Sequence, residues 1–202
     1  MADDEFNPPD SAPAPPAGKP AGPVHRAIPD GDNRERLMCH DCGFIHYHNP
    51  VIIVGAVAAW YDGAEPSPAG RILLCRRAIA PRIGFWTLPA GYLEIEETTE
   101  AGAIRETWEE AQARISIDRL LAIYNVPRPA QVQTIYQATL LSPDIAPGEE
   151  SLDVGLFAWE DIPWDEIAFP TVRWALHQHR SVIGQADYPP FGNPSGESTE
   201  YF

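Results

Sequence analysis

Cysteine is scarce in this chain of 202 residues, with only three copies, so a disulfide is the least favoured use of them in a chain read as cytoplasmic. Basic side chains are also few: Lys and Arg number 14 against 29 Asp and Glu, giving a net charge of -15. That balance makes a nucleic-acid backbone an unfavourable partner. It does not exclude anionic phosphate substrates, provided metal ions neutralise them locally. No window approaches the roughly 18 consecutive apolar residues of a membrane span, and the N-terminus is acidic ahead of any apolar run. The expectations are therefore no nucleic acid, no membrane and a cytoplasmic location. The length suits one domain with a sizeable core.

Composition divides the chain into four parts. Residues 1–24 are Pro- and Ala-rich with scarcely an apolar anchor, and read as a disordered extension. Residues 25–49 contain Cys39-His40-Asp41-Cys42-Gly43, a turn in which glycine lets backbone amides approach two thiolates. Four-coordinate zinc needs two more ligands, for which His25, His40, His46 and His48 are candidates; otherwise the turn is a relict knuckle kept folded by packing. Residues 50–185 form the main domain. Residues 186–202 read as a flexible tail, although Tyr188, Phe191, Tyr201 and Phe202 are aromatic anchors through which it could dock.

Within the main domain, Gly91 to Ala113 is a loop running into a helix rich in carboxylates. Thr98 and Thr99 are N-cap residues by type, and Glu96, Glu97 and Glu100 place negative charge at the positive end of the helix dipole. Ala101, Ile104, Trp108 and Ala111 recur at spacings of three and four, which predicts an apolar stripe facing the core. Glu106, Glu109 and Glu110 share another face, where like charges one turn apart repel, with Arg105 placed to pair with Glu109. The face is either a solvated acidic surface or a site for a hard divalent cation.

Around this helix, Val51 to Trp60 is an apolar, β-branched run that predicts a strand buried on both faces, and Arg71 to Arg77 is its hairpin partner across a turn at 65–70. Thr87 to Gly91 predicts a short strand. Ile115 to Ile117, Leu120 to Val126, Val132 to Leu141 and Gly155 to Trp159 predict further strands. Thr171 to Ile183 predicts a second amphipathic helix with Val172, Ala175, Leu176 and His179 inward. Strands before and after a central helix give α/β or α+β.

The spacing Gly91, Glu97, Arg105-Glu106, Glu109-Glu110 resembles the Nudix box, G-x5-E-x7-R-E-U-x-E-E-x-G-U, at every charged position. Thr107 and Ala113 are small where U is bulky, and Gln112 replaces the second glycine, which leaves the helix exit to be explained. Residues 28–180 further resemble a Nudix subgroup with an N-terminal zinc ribbon, of which this chain keeps only the second Cys-x-x-Cys. The resemblance implies an α+β fold, an α/β/α sandwich with a mixed sheet between helices. It implies Mg2+ or Mn2+ as cofactor and a homodimer. It also implies hydrolysis of a nucleoside diphosphate linked to another group, such as ADP-ribose, FAD or NADH, to two monophosphates. Alternatives are a nucleoside triphosphate pyrophosphohydrolase and a non-catalytic ligand-binding module.

By the same resemblance, Glu106, Glu109 and Glu110 are metal ligands, with Glu97 in support and oriented by Arg105. The carbonyl of Gly91 or Ala90, and Glu94, are further candidates. Glu150, ahead of Glu149, is the candidate general base. Arg82 is preferred over Arg76 and Arg77 for holding the distal phosphate. Trp86, Phe85 or Tyr124 is either a stacking platform for a flat ring or part of the core.

Overall fold

The computed structural model describes residues 22–63, 70–185 and 187–197. Residues 1–21 of the extension expected over 1–24, most of the turn at 65–70 and the last five residues lie outside them. The described residues form two compact units, divided between Asn49 and Pro50.

The first unit is a small antiparallel sheet of β1 (His25–Ala27), β2 (Arg36–Met38) and β3 (Ile45–His46), in that order. The β1–β2 turn is an Asx-type turn: the Asp32 carboxylate accepts from the backbone of Asn33 and Arg34 and from Arg36 Nε. In the turn between β2 and β3, Cys39 N–H donates to the Phe44 carbonyl and Gly43 N–H to the Cys39 carbonyl, with Gly43 at φ 74°, where glycine fits best.

The second unit contains β4 (Val51–Trp60), β5 (Arg71–Arg77), β6 (Trp86–Thr87), β7 (Ala90–Tyr92), α1 (Thr99–Ala111), β8 (Ile115–Val126), β9 (Gln131–Leu140), β10 (Ser151–Phe157) and α2 (Pro170–Ser181). The main sheet runs β10-β5-β4-β9-β8, with β6 on β5 and β7 on β4. It is mixed, because β4 and β9 are parallel while the other pairs are antiparallel. Strand alternation then sorts the core into two layers. Val54, Ala56, Ala58, Leu73 and Cys75 pack toward Ala103 and Ala111 of α1, and Val57, Ala59, Ile72 and Leu74 pack with Val172, Ala175 and Leu176 of α2. The result is the expected α/β/α sandwich. No helix among the described residues is long and apolar enough to cross a membrane.

Five expectations change. The short strand predicted over Thr87 to Gly91 is two, β6 on β5 and β7 on β4, and the strand predicted over Gly155 to Trp159 begins at Ser151 and ends at Phe157. The two short strands predicted over 115–126 are one strand, β8, with irregularities near Asp118 and Leu121. Of the predicted apolar stripe of α1 only Ala111 packs: Ala101 is exposed and Ile104 and Trp108 are 41% and 48% exposed, whereas Gly102, Ala103, Glu106, Thr107 and Glu110 are buried with Ala111. Small residues let the helix lie close to the sheet, where a Cβ at Gly102 would come within 2.8 Å of Val54 Cγ2. Finally, of the tail expected to be flexible, residues 187–197 run along β8, with Phe191 exchanging backbone hydrogen bonds with Leu121 and Ile123.

Candidate active site

The loop entering α1 is fixed by its own polar groups. Thr98 caps the helix by accepting the Ala101 N–H, and Glu94 N–H donates to Glu97 Oε1 at 2.7 Å. Arg105 then gathers the carboxylates. It is bidentate to Glu97 at 2.6 and 3.0 Å and also donates to Glu106 at 2.7 Å, to Glu109 at 2.9 Å and to the Tyr92 carbonyl at 2.9 Å. These bonds hold the Glu97 carboxyl below the usual carboxylate range and raise the Arg105 pKa further.

Deeper in the site the balance reverses. Burial pushes the Glu110 pKa up to about 8, and the neighbouring Glu106 charge adds to it, while Arg77 and the Ala90 N–H oppose. Burial also raises Glu106, against the hydrogen bond from Arg105. Thr107, where a bulkier residue was expected, is fully buried and gives its hydroxyl proton to the Ala103 carbonyl at 2.7 Å. A Cβ at Gly91 would lie 2.3 to 2.5 Å from the Glu106 carboxylate, so the missing side chain is the space in which that carboxylate rests.

These carboxylates open into a cavity of about 1200 Å³, also lined by Arg77, Arg128, Gln133, Glu149, Glu150 and Phe169. Such a volume accommodates a ligand with two linked halves. Arg77 reaches the cavity between its Nε bond to the Pro81 carbonyl and the face of Phe169, 5.1 Å away. Arg82, favoured from sequence, does not line it; its guanidinium lies 5.3 Å over the Phe85 ring. Trp86 and Tyr124 belong to the core: Trp86 packs edge-on against Phe157, and Tyr124 is fully buried with its hydroxyl on Gln178. Tyr92 and Phe169 supply the aromatic wall instead. Sequence reasoning missed Arg128, Gln131, Gln133 and Phe169, which only the tertiary fold brings beside the box.

Two metals are implied, and the residues answer differently. Oxygen-rich and mutually repelling, with Glu106 and Glu110 buried and Glu109 exposed, the cluster is the donor chemistry that a hard divalent cation takes. Among the described residues no three acidic, His or Cys groups already form a cation cage, and Arg105 engages oxygens of Glu97, Glu106 and Glu109. In the first unit Cys39 and Cys42 are free thiols. The only other cysteine, Cys75, is buried in the second unit, so the four-thiolate set of a zinc ribbon is not present.

The model of the NUDIX domain matches residues 55–175, and that of the Nudix N-terminal segment, a zinc ribbon, matches residues 21–48. A crystal structure of a NUDIX hydrolase from Nitrosomonas europaea is 42% identical, with a TM-score of 0.74 over 84% of this chain and 93% of that one. Among curated proteins, a MutT-like protein of Streptomyces ambofaciens is 47% identical over 27% of this chain and 34% of its own length. The NAD-capped RNA hydrolase NudC of Pectobacterium atrosepticum is 29% identical over 62% and 45%, respectively. An ADP-ribose pyrophosphatase of Methanocaldococcus jannaschii is 26% identical over 46% and 57%. The chain thus spans between a third and three-fifths of these curated relatives' lengths. With the family's domain matched over most of the second unit and the carboxylate helix lining the cavity, the chain belongs to the Nudix hydrolase family.

Proposed function

We propose that the chain is a divalent-metal-dependent pyrophosphatase that cleaves a nucleoside diphosphate linked to a second group, of the ADP-ribose, FAD or NADH class, into two monophosphates. The observation that carries this reading is the run Glu106, Glu109 and Glu110 on one helix facing a cavity that also holds the cationic Arg77 and Arg128. The names of the relatives, an ADP-ribose pyrophosphatase and an NAD-capped RNA hydrolase, support the substrate class.

Glu106, Glu109 and Glu110, with Glu97 and the Gly91 carbonyl, are the groups that would hold Mg2+ or Mn2+, which when bound offsets phosphate charge and acidifies a water. Arg105 orients Glu97 and Glu109 through the bonds described above. Arg77 holds the distal phosphate, its guanidinium braced by Pro81 and Phe169. Glu150, on the cavity wall beside the strand that carries Arg77, takes the proton of the attacking water, with Glu149 next to it. Tyr92, exposed at the cavity, offers a ring face to a flat base. The first unit, lacking half a thiolate set, is a ribbon held by its turns without a four-thiolate zinc.

The test is product analysis by HPLC with Mg2+ against ADP-ribose, FAD, NADH, an NAD-capped oligonucleotide and a nucleoside triphosphate. The expected result is AMP plus a phosphorylated partner from at least one linked substrate. Release of pyrophosphate from the triphosphate alone would overturn the reading. In the same assay Arg77→Ala is expected to raise KM about 10- to 100-fold, the loss of roughly 1.5 to 3 kcal/mol carried by a charge-assisted hydrogen bond. Arg82→Ala is expected to stay within about two-fold of wild type, and the reverse ranking would restore the sequence-based choice.

A further inference from the structure

We propose that Gly148 is a positioning residue for the reaction: its lack of a side chain lets residues 144–150 lie directly on the end of the catalytic helix and so sets where Glu150 stands. The role rests on Glu150 as proton acceptor, as assigned above.

No glycine ends α1. Gln112 takes the left-handed turn at φ 48° and gives its N–H to the Trp108 carbonyl at 2.8 Å. The next carbonyls of a helix end also need donors. Here they come from a distant segment: Gly148 N–H donates to the Glu110 carbonyl and Ala146 N–H to the Ala111 carbonyl, both at 2.9 Å. The segment therefore completes the helix cap by lying flat against it.

At the contact there is no room for a side chain. A Cβ at Gly148 would stand 1.7 Å from the Glu109 carbonyl oxygen and 2.8 Å from its carbon. These are backbone atoms of the helix that carries the acidic cluster, so no rotamer change relieves the overlap. Gly148 is not among the glycines with positive φ, so the requirement is for space rather than for an unusual backbone conformation.

The far end of the segment is fastened too. Ala78 N–H donates to the Glu150 carbonyl at 2.8 Å, Ser151 N–H donates to the Gly148 carbonyl at 3.2 Å, and Ser151 pairs with Arg77 where β10 meets β5. Glu150 is thus held between the end of α1 and the strand that carries Arg77. Its charge acts on Glu106, Glu110 and Arg77. Lifting the segment by about 1 Å moves the proton acceptor relative to the acidic cluster, a misplacement that can lower turnover about 100-fold.

The experiment is a double-mutant cycle in the full chain with ADP-ribose and Mg2+, comparing wild type, Gly148→Ala, Glu150→Gln and the double variant, with amide hydrogen exchange on the same proteins. Gly148→Ala is expected to lower kcat about 100-fold with KM within about three-fold, and to lose exchange protection at residues 146 and 148 while mid-α1 keeps it. Glu150→Gln is expected to lower kcat about 100-fold in wild type but less than about three-fold on top of Gly148→Ala, because the displaced carboxylate no longer acts. General weakening of the fold would leave the two effects multiplicative. Multiplicative effects, wild-type kcat in a folded Gly148→Ala, or unchanged exchange would each overturn the proposal. If Gly148→Ala does not fold, Ala146→Pro removes the other cap bond without adding bulk at Glu109; the same non-additivity is expected, and additivity overturns the role. Wild type inactive on ADP-ribose counts against the substrate class instead, and the exchange result then still decides whether Gly148 fastens the segment.

Discussion

Replacing Glu110 with glutamine is expected to lower kcat by at least about 10³-fold and, without divalent cation, to make the protein more stable at pH 8. The first effect corresponds to losing about 4 kcal/mol of transition-state stabilisation, the scale at which a ligand to a charge-neutralising ion acts. The second follows from burial, which with the Glu106 charge lifts the Glu110 pKa from 4.5 to about 8. Between those values the folded chain keeps a proton that the unfolded chain has released. Stability therefore falls as pH rises through the window and is least above pH 8. A shift of 3.5 units at 1.36 kcal/mol per unit gives an upper bound of about 5 kcal/mol, and Glu106 shifts in the same direction. Glutamine keeps the shape and removes the charge. Urea unfolding at pH 5.5 and 8, with EDTA and then with Mg2+, reads both signs. Wild type should lose stability with pH in EDTA and regain it with Mg2+, by about 2.7 kcal/mol at a hundred times Kd. Glu110→Gln should show a smaller loss with pH, carried by Glu106, and a weaker gain with Mg2+. Retained turnover, or a wild-type stability that rises with pH in EDTA, would contradict the site.

What could be read from sequence here is what depends on near neighbours. The acidic positions of α1 stand three and four apart on a helix that begins with a side-chain cap, so their common face follows from local geometry. The pattern of strands and helices reaches only α/β or α+β; the sandwich comes from the Nudix resemblance, and in the structure β4 and β5 send alternate residues to its two layers. The same parity separates the arginines: Arg77 continues the face of Leu73 and Cys75 toward Glu110, whereas Arg82 sits in a loop where alternation gives no guide. Hydrophobicity misled at Ile104 and Trp108, because the close approach of α1 to the sheet requires small residues. Trp108 instead lies under the Arg114 guanidinium, 5.7 Å from its ring. The cavity wall was beyond reach for another reason. Gln131 and Gln133 stand beside Val51 and Ile53 only because β9 pairs in parallel with β4, and no local pattern encodes that pairing.

Removing the segment after Gln185 is expected to destabilise the protein by roughly 3–5 kcal/mol and to promote self-association. A Pro- and Gly-punctuated tail suggests disorder by composition, yet residues 187–197 run along β8, the outer strand of the sheet. Phe191 N–H donates to the Leu121 carbonyl at 2.8 Å, Ile123 N–H to the Phe191 carbonyl at 2.9 Å, and the Asn193 side chain both accepts from and donates to the Asn125 backbone at 2.8 Å. Tyr188 and Phe191 pack on the α2 side of the core, and the Tyr188 hydroxyl donates to Gln137, whose amide contacts His179 of α2 at 2.9 Å. Near the end of the segment, Glu197 accepts the indole N–H of Trp174. Two half-buried aromatics and the backbone bonds account for the expected loss, at about 1 kcal/mol apiece. Deletion also leaves unpaired donors and acceptors on β8, a template for pairing with another copy. Urea midpoints and size-exclusion profiles of the truncated and full chains test this, with Tyr188→Phe expected to account for about 1 kcal/mol by itself. An unchanged midpoint with a monodisperse profile would mean that the segment only rests on the edge. A lower midpoint with new oligomers would make it a structural strand of the domain.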